Sequence, residues 1–566
     1  MWKPLLIVFI LIFIVSCKEQ QKSTVDEPVT IVEKPQENSN SRKAPFVWEG
    51  ANIYFLLTDR FNNGNTANDT TLNRTNESGK LRGFMGGDIS GITKKINDGY
   101  FSELGVNAIW FTPVVEQIHG DTDEGTGNTY GYHGYWTKDW TALDPNFGTK
   151  EELEIMIKTA HKKGIRILMD VVLNHTGPVT EEDPVWPSDW VRTQPVCGFT
   201  TYENTTSCAL VNNLPDILTE SEEAVVLPDA LLAKWKEEGR LTTELDELAV
   251  FFERTGYKRT PRAYIIKWLT DYVKDMGIDG YRVDTVKHAD EKSWAELRKE
   301  AAFAFENWKK NHPDEILDDA DFYMMGEVYN YGITGGRTFD FGDKKVDYFN
   351  YGFNSLINFD LKNDAKNDYE TIFQKYSDLL HREFLGKGVV NYLTSHDDGS
   401  PFDKERLLPY KTANVLLLTP GTSQIYYGDE SARDLTIEGT EGDATLRSFM
   451  NWDAIENHDE TKQVLSHWRK LGQFRDQHPA IGAGKHKKIG DKPYVFSRTY
   501  IDDEYKDKVV VALDLPKGKK SLVVKGFFGD GTTLYDTYSE TKVMVSNGRI
   551  ELDNDFDIAL LELAEL

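Results

Sequence analysis

The sequence predicts an α/β fold: a (β/α)8 TIM barrel with an inserted loop-rich domain after the third strand and a C-terminal antiparallel β domain. Three observations predict it. Short apolar runs alternate with amphipathic stretches over roughly 400 residues, the pattern of a parallel sheet wrapped by helices. Polar and charged residues collect directly after those runs, at Asp170 to His175, Asp284 to His288, Glu327 and His396-Asp397. All strand C-termini of a parallel barrel open on one face, so these groups should converge. After about Ala480 the chain changes to short alternating strands split by Gly, Asp and Lys turns, the pattern of a small antiparallel domain. A doubly wound open sheet is the alternative, but no glycine-rich dinucleotide fingerprint follows the first strand.

Taken in order, the chain starts with Lys3 and an apolar run from Leu5 to Val15. That run is too short to span a bilayer and reads as the core of a signal peptide. Its end, Ile14-Val15-Ser16-Cys17, resembles a bacterial lipobox, whose cysteine is acylated and becomes the mature N-terminus. A plain secretory signal with an incidental cysteine is the other reading. Residues 18–45 are rich in Lys, Glu, Gln, Ser, Asn and Pro and form a solvated tether. The barrel is assigned to residues 46–479, the inserted domain to about 176–260, and the β domain to 480–566.

Seven runs read as barrel strands: Ala51 to Leu57, Asn107 to Phe111, Ile165 to Val172, Gly280 to Asp284, Phe322 to Glu327, Val389 to Leu393 and Gln424 to Tyr427. Helical patterns lie between several of them, as at Glu151 to Lys163 and at Ala263 to Met276, which Gly277 closes. Inside the insertion, Leu231-Leu232, Trp235, Leu241, Leu245, Leu248 and Phe251-Phe252 recur at helical spacing. This face either packs on the barrel or reshapes the cleft. Cys197 and Cys208 are close in sequence, and export permits one local bridge between them; two free thiols are the alternative.

The chain carries 65 Lys and Arg against 92 Asp and Glu, a formal net charge of −27. Such a surface repels nucleic acid and anionic membrane, and leaves a neutral substrate or a bound cation as partners. It has 13 Trp, 26 Tyr and 29 Phe. These fill cores in any globular protein and also suit a cleft in which rings stack on pyranose faces.

An ordered series of motifs gives the family. Asp170-Val171-Val172-Leu173-Asn174-His175, Gly280-Tyr281-Arg282-Val283-Asp284-Thr285-Val286-Lys287-His288, Gly326-Glu327-Val328 and Ser395-His396-Asp397 resemble the four conserved regions of the α-amylase family, glycoside hydrolase family 13. Leu214-Pro215-Asp216-Ile217 and Tyr132-His133-Gly134-Tyr135-Trp136 match further signatures of that family. The likeness runs from about Trp48 to Leu566. It implies a retaining hydrolase of α-1,4-glucosidic bonds in starch or maltooligosaccharides, with Asp284 as nucleophile, Glu327 as acid/base and Asp397 as the third acid. It further implies that His175 and His396 bond sugar hydroxyls and that Tyr135 stacks on the sugar face. Lys287 and His288 contact the leaving-group side, and Arg447 binds near the cleavage point. From its position two residues before the nucleophile, Arg282 keeps Asp284 ionised and oriented.

The resemblance also implies calcium. Asn174, Asp216 and the carbonyl of His288 match the family's structural Ca²⁺ site. Asn63, Asn65, Asn68 and Asp69, with Gly86 and Asp88, resemble a second calcium loop of some members or form an Asx-rich surface turn. One departure stands out: some forty extra residues follow Ile217 before the helix that precedes the nucleophile strand. Three readings of function follow. An exported, lipid-anchored amylase leads. A cyclomaltodextrinase, neopullulanase or glucan transferase with the same carboxylates comes next, and the single C-terminal domain argues against the larger cyclodextrin-forming transferases. A catalytically silent glucan-binding protein is the third, disfavoured because Asp284, Glu327 and Asp397 are all present.

Overall fold

The computed structural model describes residues 44–564 other than Glu124 and Asp503. The signal segment with Cys17, and the tether as far as Lys43, lie outside the described residues. Residues 44–566 form one compact unit.

Eight parallel strands close a barrel: β1 (Asn52–Leu56), β2 (Ala108–Phe111), β3 (Arg166–Val171), β4 (Gly280–Val283), β5 (Tyr323–Gly326), β6 (Ser355–Asn358), β7 (Gly388–Asn391) and β8 (Thr422–Tyr426). Each strand pairs with its neighbours in sequence, and β8 returns to β1 with Ser423 beside Asn52. Every residue of these strands is buried, as expected where side chains fill the barrel on one side and helices cover the other. Seven of the strands match the apolar runs of the sequence. The sixth does not, because Ser355-Leu356-Ile357-Asn358 has only two apolar residues between polar ones. The polar ends are satisfied inside the barrel, where Asn358 donates to Asn391 Oδ1 at 2.8 Å. No long helix announces β6 either. The β5–β6 connection is a two-stranded hairpin, Phe339–Asp340 with Lys345–Val346, between two short 3₁₀ turns.

The outer helices begin and end where local chemistry requires. Thr149 caps the helix Lys150–Lys162 in a reciprocal capping box with Glu152. Thr260 caps Pro261–Met276, with Pro at the first turn, and Gly277 closes it at φ +75°. A Cβ at Gly277 would lie 2.2 Å from the Trp308 ring, so close packing as well as backbone conformation selects glycine there.

The extra segment of the insertion folds as two helices, Asp229–Glu237 and Leu241–Thr255. Leu231, Trp235, Leu248, Phe251 and Phe252 are buried and continuous with the barrel core, so this face packs on the barrel. Leu245, which belongs to the same predicted face, is instead 42 % exposed, because it falls at the margin of the stripe that Leu248, Phe251 and Phe252 bury on the same helix. Trp235 meets Trp268 edge-on and donates its indole N–H to Thr141 at 3.1 Å.

Beyond residue 484 a six-stranded antiparallel sheet forms, from Lys485–Asp491 to Thr541–Met544. Alternation along its strand Lys506–Leu513 sorts the packing. Val509, Val511 and Leu513 join the barrel core, whereas Val510 and Ala512 join a separate cluster that includes Leu522 and Ile550 of the two-stranded antiparallel sheet Gly518–Val523/Arg549–Asn554. His478, at the end of the last barrel helix, links barrel and sheet through Asp507 at 2.9 Å and Glu562 at 2.6 Å. Burial alone would depress this imidazole, but the two carboxylates raise it to about 9. No helix among the described residues is long and apolar enough to cross a membrane.

Trp235→Ala removes a fully buried indole that ties the inserted helices to the barrel. It should destabilise the protein by ~3–5 kcal/mol, read as a lower thermal midpoint with unchanged secondary structure at room temperature.

Candidate active site

Asp170 ends β3, Asp284 follows β4, Glu327 follows β5 and Asp397 lies six residues past β7. Closure of the barrel joins Asp170 and Asp284 through Arg282, with Glu327 at the end of the neighbouring strand. Arg282 Nη1 lies 2.7 Å from Asp284 Oδ1 and 2.9 Å from Asp170 Oδ1. Asp170 Oδ2 also accepts from the Trp110 indole at 2.9 Å and the Tyr135 hydroxyl at 2.8 Å. Asp170 thus anchors the guanidinium that orients Asp284. Its own contacts were not among the expected site residues, and the available signal was its place at the head of the first motif. Burial pushes the Asp170 carboxyl up to about 7, against the pull of Arg282.

Glu327 is 7 % exposed. Burial, opposed by Arg282 and reinforced by the negative fields of Asp284 and Asp397, pushes its carboxyl up to about 8. Two successive backbone amides grip this residue: Thr285 N–H donates to Oε2 and Val286 N–H to the carbonyl, both at 2.9 Å. Thr285 reaches that position at φ +49°, a left-handed conformation that a β-branched residue adopts only under strain. Asp397 keeps 38 % of its side chain open to solvent and accepts from Ser395 Oγ at 3.0 Å.

The other expected substrate residues divide into two groups. Tyr135, His175, His396 and Arg447 form one contiguous wall. The Tyr135 ring stacks on His396 at 5.2 Å, His175 Nε2 lies 3.2 Å from the Tyr135 carbonyl, and Arg447 Nε donates to the His396 carbonyl at 2.9 Å. Burial lowers both histidines, His396 to about 4, so both are neutral donors and acceptors at neutral pH. Arg447 also pairs with Asp443 at 2.5 Å. Lys287 stands apart, with its ammonium among the rings of Tyr329, Phe339 and Phe199, and burial lowers it. Phe199 and Tyr329 are half-exposed, and sequence reasoning passed over both. The His288 side chain turns to the inserted segment, where Nδ1 lies 3.0 Å from the Thr205 carbonyl.

Cys197 and Cys208 form a disulfide that closes the loop carrying Phe199 and Thr205. Behind it, Asn174 Nδ2 lies 2.9 Å from both Asp216 Oδ1 and the His288 carbonyl, so these three groups meet. At the second cluster, Asn63 Nδ2 lies 2.9 Å from Asp69 Oδ1. The Oδ1 atoms of Asn63 and Asn68 are buried without a partner. Gly86, at φ +85°, lies so close that a Cβ would come 2.5 Å from Asn63 and 2.7 Å from Asp69. Asp88 accepts instead from the amides of Gly64, Asn65 and Gly91, and Asn65 Oδ1 accepts from Ala67 N–H at 3.2 Å. Among the described residues no three His, Cys, Asp or Glu side chains gather as a metal cluster.

The family model of the alpha-amylase catalytic domain matches residues 55–186 and 257–477. The unmatched gap covers most of the inserted segment. The periplasmic alpha-amylase of Escherichia coli is 36 % identical over 528 residues, covering 81 % of this chain and 72 % of that one. A cyclomaltodextrin glucanotransferase of Geobacillus stearothermophilus is 27 % identical over 529 residues, covering 90 % of this chain and 63 % of that one. In fold, the chain is similar to a solved cyclomaltodextrin glucanotransferase described as the first with a three-domain ABC distribution, with TM-score 0.61 and 20 % identity, covering 91 % of this chain and 99 % of that one. A single C-terminal domain therefore does not by itself separate hydrolases from transferases. With the matched catalytic domain and the Escherichia coli relative, the chain belongs to the alpha-amylase family of glycoside hydrolases.

Proposed function

We propose that this protein is an exported, retaining hydrolase of α-1,4-glucosidic bonds in starch-like glucans. The observation that carries the reading is the contrast between two neighbouring carboxyls. Asp284 is held by a buried guanidinium, while Glu327 is pushed up to about 8 by burial and by its acidic neighbours. Retaining hydrolysis requires this division of labour. Asp284 attacks the anomeric carbon and forms a glycosyl ester as the glycosidic C–O bond breaks, and Glu327 gives its proton to the leaving oxygen. Glu327, now a carboxylate, takes a proton from the water that attacks the anomeric carbon and frees Asp284. The Thr285 amide at 2.9 Å favours that carboxylate in the second step. Tyr135, His175 and His396 would hold the sugar at the cleavage point, with Asp397 on its hydroxyls, and Lys287 and His288 would face the leaving group. The name of the Escherichia coli relative supports both export and amylase specificity.

Transfer to a sugar acceptor, giving cyclic or lengthened products, is the second reading. The glucanotransferase relative favours it.

Two calcium ions fit the residues. At the first site, turning the Asn174 amide points its oxygen at Asp216 and the His288 carbonyl. Three oxygens facing one another require a cation, and an all-oxygen set suits Ca²⁺. At the second, the unpartnered Oδ1 atoms of Asn63 and Asn68 beside Asp69 make the same demand, with Gly86 leaving the room. Asn65 and Asp88 would shape that loop through their turn bonds. Calcium bound there would supply positive charge that pins loops, with no part in bond cleavage. The lipobox reading places Cys17 under an acyl anchor on an exported chain.

Product analysis on soluble starch, pullulan and cyclodextrin tests the reaction. Wild type should release short linear maltooligosaccharides from starch, and Glu327→Gln should lose ~10²–10⁴-fold in kcat. Cyclic products, or preference for pullulan or cyclodextrin, would replace the amylase reading with its sister specificity. Because the acid must be protonated, kcat should fall on the alkaline side as pH passes about 8, where Glu327 loses its proton. A flat kcat from pH 6 to 10 would remove Glu327 from that role. Cys17→Ala should move the protein from the membrane to the soluble fraction; a variant that stays membrane-bound rejects the lipid anchor.

A further inference from the structure

A short two-stranded ladder in the inserted segment pairs Val191 with Ile217 and Arg192 with Asp216. Directly opposed residues of an antiparallel pair project to the same face, so the register itself delivers the Arg192 guanidinium onto the Asp216 carboxylate. Nε lies 2.8 Å from Asp216 Oδ2, and Nη2 of the same guanidinium bonds Glu220. The opposite edge of the Asp216 strand is bridged to His175, and Ile217 N–H donates to the Asn174 carbonyl at 2.7 Å. Asp216 is therefore fixed between two segments. One of its oxygens faces Asn174 and the other faces a cation that belongs to the chain.

We infer that Arg192 is a resident counter-ion for Asp216: it weakens calcium binding at the Asn174–Asp216–His288 site and holds the inserted segment to the barrel when the ion is away. The inference rests on the calcium reading given above. A buried carboxylate without an opposing charge is costly, and the Asp216 side chain is only 1 % exposed. If the ion were the sole opposing charge, its loss would set Asp216 against the His288 carbonyl and loosen the segment. The guanidinium removes that penalty. A fixed positive charge beside a ligand oxygen also repels an incoming divalent cation, and near a protein surface such repulsion is large compared with thermal energy. Glu220, whose side chain is 38 % exposed, gives the guanidinium a second partner at the surface, so Arg192 can lean outward when an ion takes the carboxylate.

A merely structural ion pair and a competing counter-ion differ in the sign of one measurement. Calcium affinity is read by competition with a chromophoric chelator, and thermal midpoints are taken with excess calcium and with excess chelator. The proteins compared are wild type, Arg192→Gln, Arg192→Lys and Asp216→Asn. Arg192→Gln should bind calcium at least about tenfold more tightly and show a larger drop in midpoint on chelation than wild type. Arg192→Lys, which keeps the charge, should stay near wild type in both. The gain should vanish when Asp216→Asn is added to Arg192→Gln, which assigns it to this site and not to the loop at Asn63. Equal affinities and equal chelation shifts for wild type and Arg192→Gln would overturn the inference while leaving calcium in place. No calcium uptake by any of the proteins would overturn the calcium reading itself, and this inference with it. If Arg192→Gln folds only with calcium present, the counter-ion role is supported directly.

Discussion

The site depends on a buried cation. Arg282 is 1 % exposed and makes its contacts through one nitrogen shared by Asp170 and Asp284. Burying a guanidinium and two carboxylates is costly unless the charges meet with good geometry, and the closed barrel supplies that geometry. Arg282 and Asp170 are direct partners in the pairing of β4 with β3, so strand register puts them side by side before any side-chain choice is made. Trp110 and Tyr135 complete the acceptor capacity of Asp170, which locks the arrangement from the β2 side. The geometry of Asp284 is thus a consequence of strand pairing two residues deeper in the barrel.

The same buried setting gives two carboxyls a strand apart different partners. Asp284 has the guanidinium, whereas Glu327 feels burial and the negative charge of its neighbours more strongly than it feels Arg282. An acid that stayed protonated at all costs could not act as a base in the second half of a retaining cycle. The amide of Thr285 moderates this by offering a hydrogen bond to the charged form, and the strained turn at φ +49° is what aims it. The strain falls on Thr285, directly after Asp284. Only there can the chain leave β4, clear Asp284 and turn two successive N–H groups toward β5.

Much of this was legible in the sequence, for identifiable reasons. A barrel strand buried on both faces reads as an apolar run, and a strand end that carries chemistry reads as a charge directly after it, so β3, β4 and β5 with Asp170, Asp284 and Glu327 stood out. β6 did not, because Ser355 and Asn358 meet their hydrogen-bonding needs inside the barrel and the preceding connection has no helix. The two inserted helices were legible by spacing, but the width of the buried stripe was not, and Leu245, at its margin, was assigned to the packed face. Contacts made across unrelated loops carry no local signal at all. Phe199 beside Lys287 and Arg192 opposite Asp216 arise from long-range pairing, which one sequence does not display.

In the proposed mechanism the division between hydrolysis and transfer falls on the other side of Glu327 from this machinery. In the proposed mechanism the carboxylates and Arg282 act on the sugar that becomes covalently attached, and would do so identically for water or a sugar acceptor. On that reading the acceptor is selected near the leaving-group side, assigned to Lys287, whose ammonium is surrounded by Phe199, Tyr329 and Phe339. Those rings, of which Phe199 and Tyr329 are half-exposed, offer apolar area to a sugar and little to a water molecule. Two of them come from the loop after β5 and one from the disulfide-closed loop of the insertion. The proposed mechanism therefore couples acceptor choice to the integrity of the inserted segment through Phe199, while Asp284 and Glu327 follow strands that the insertion does not need to position.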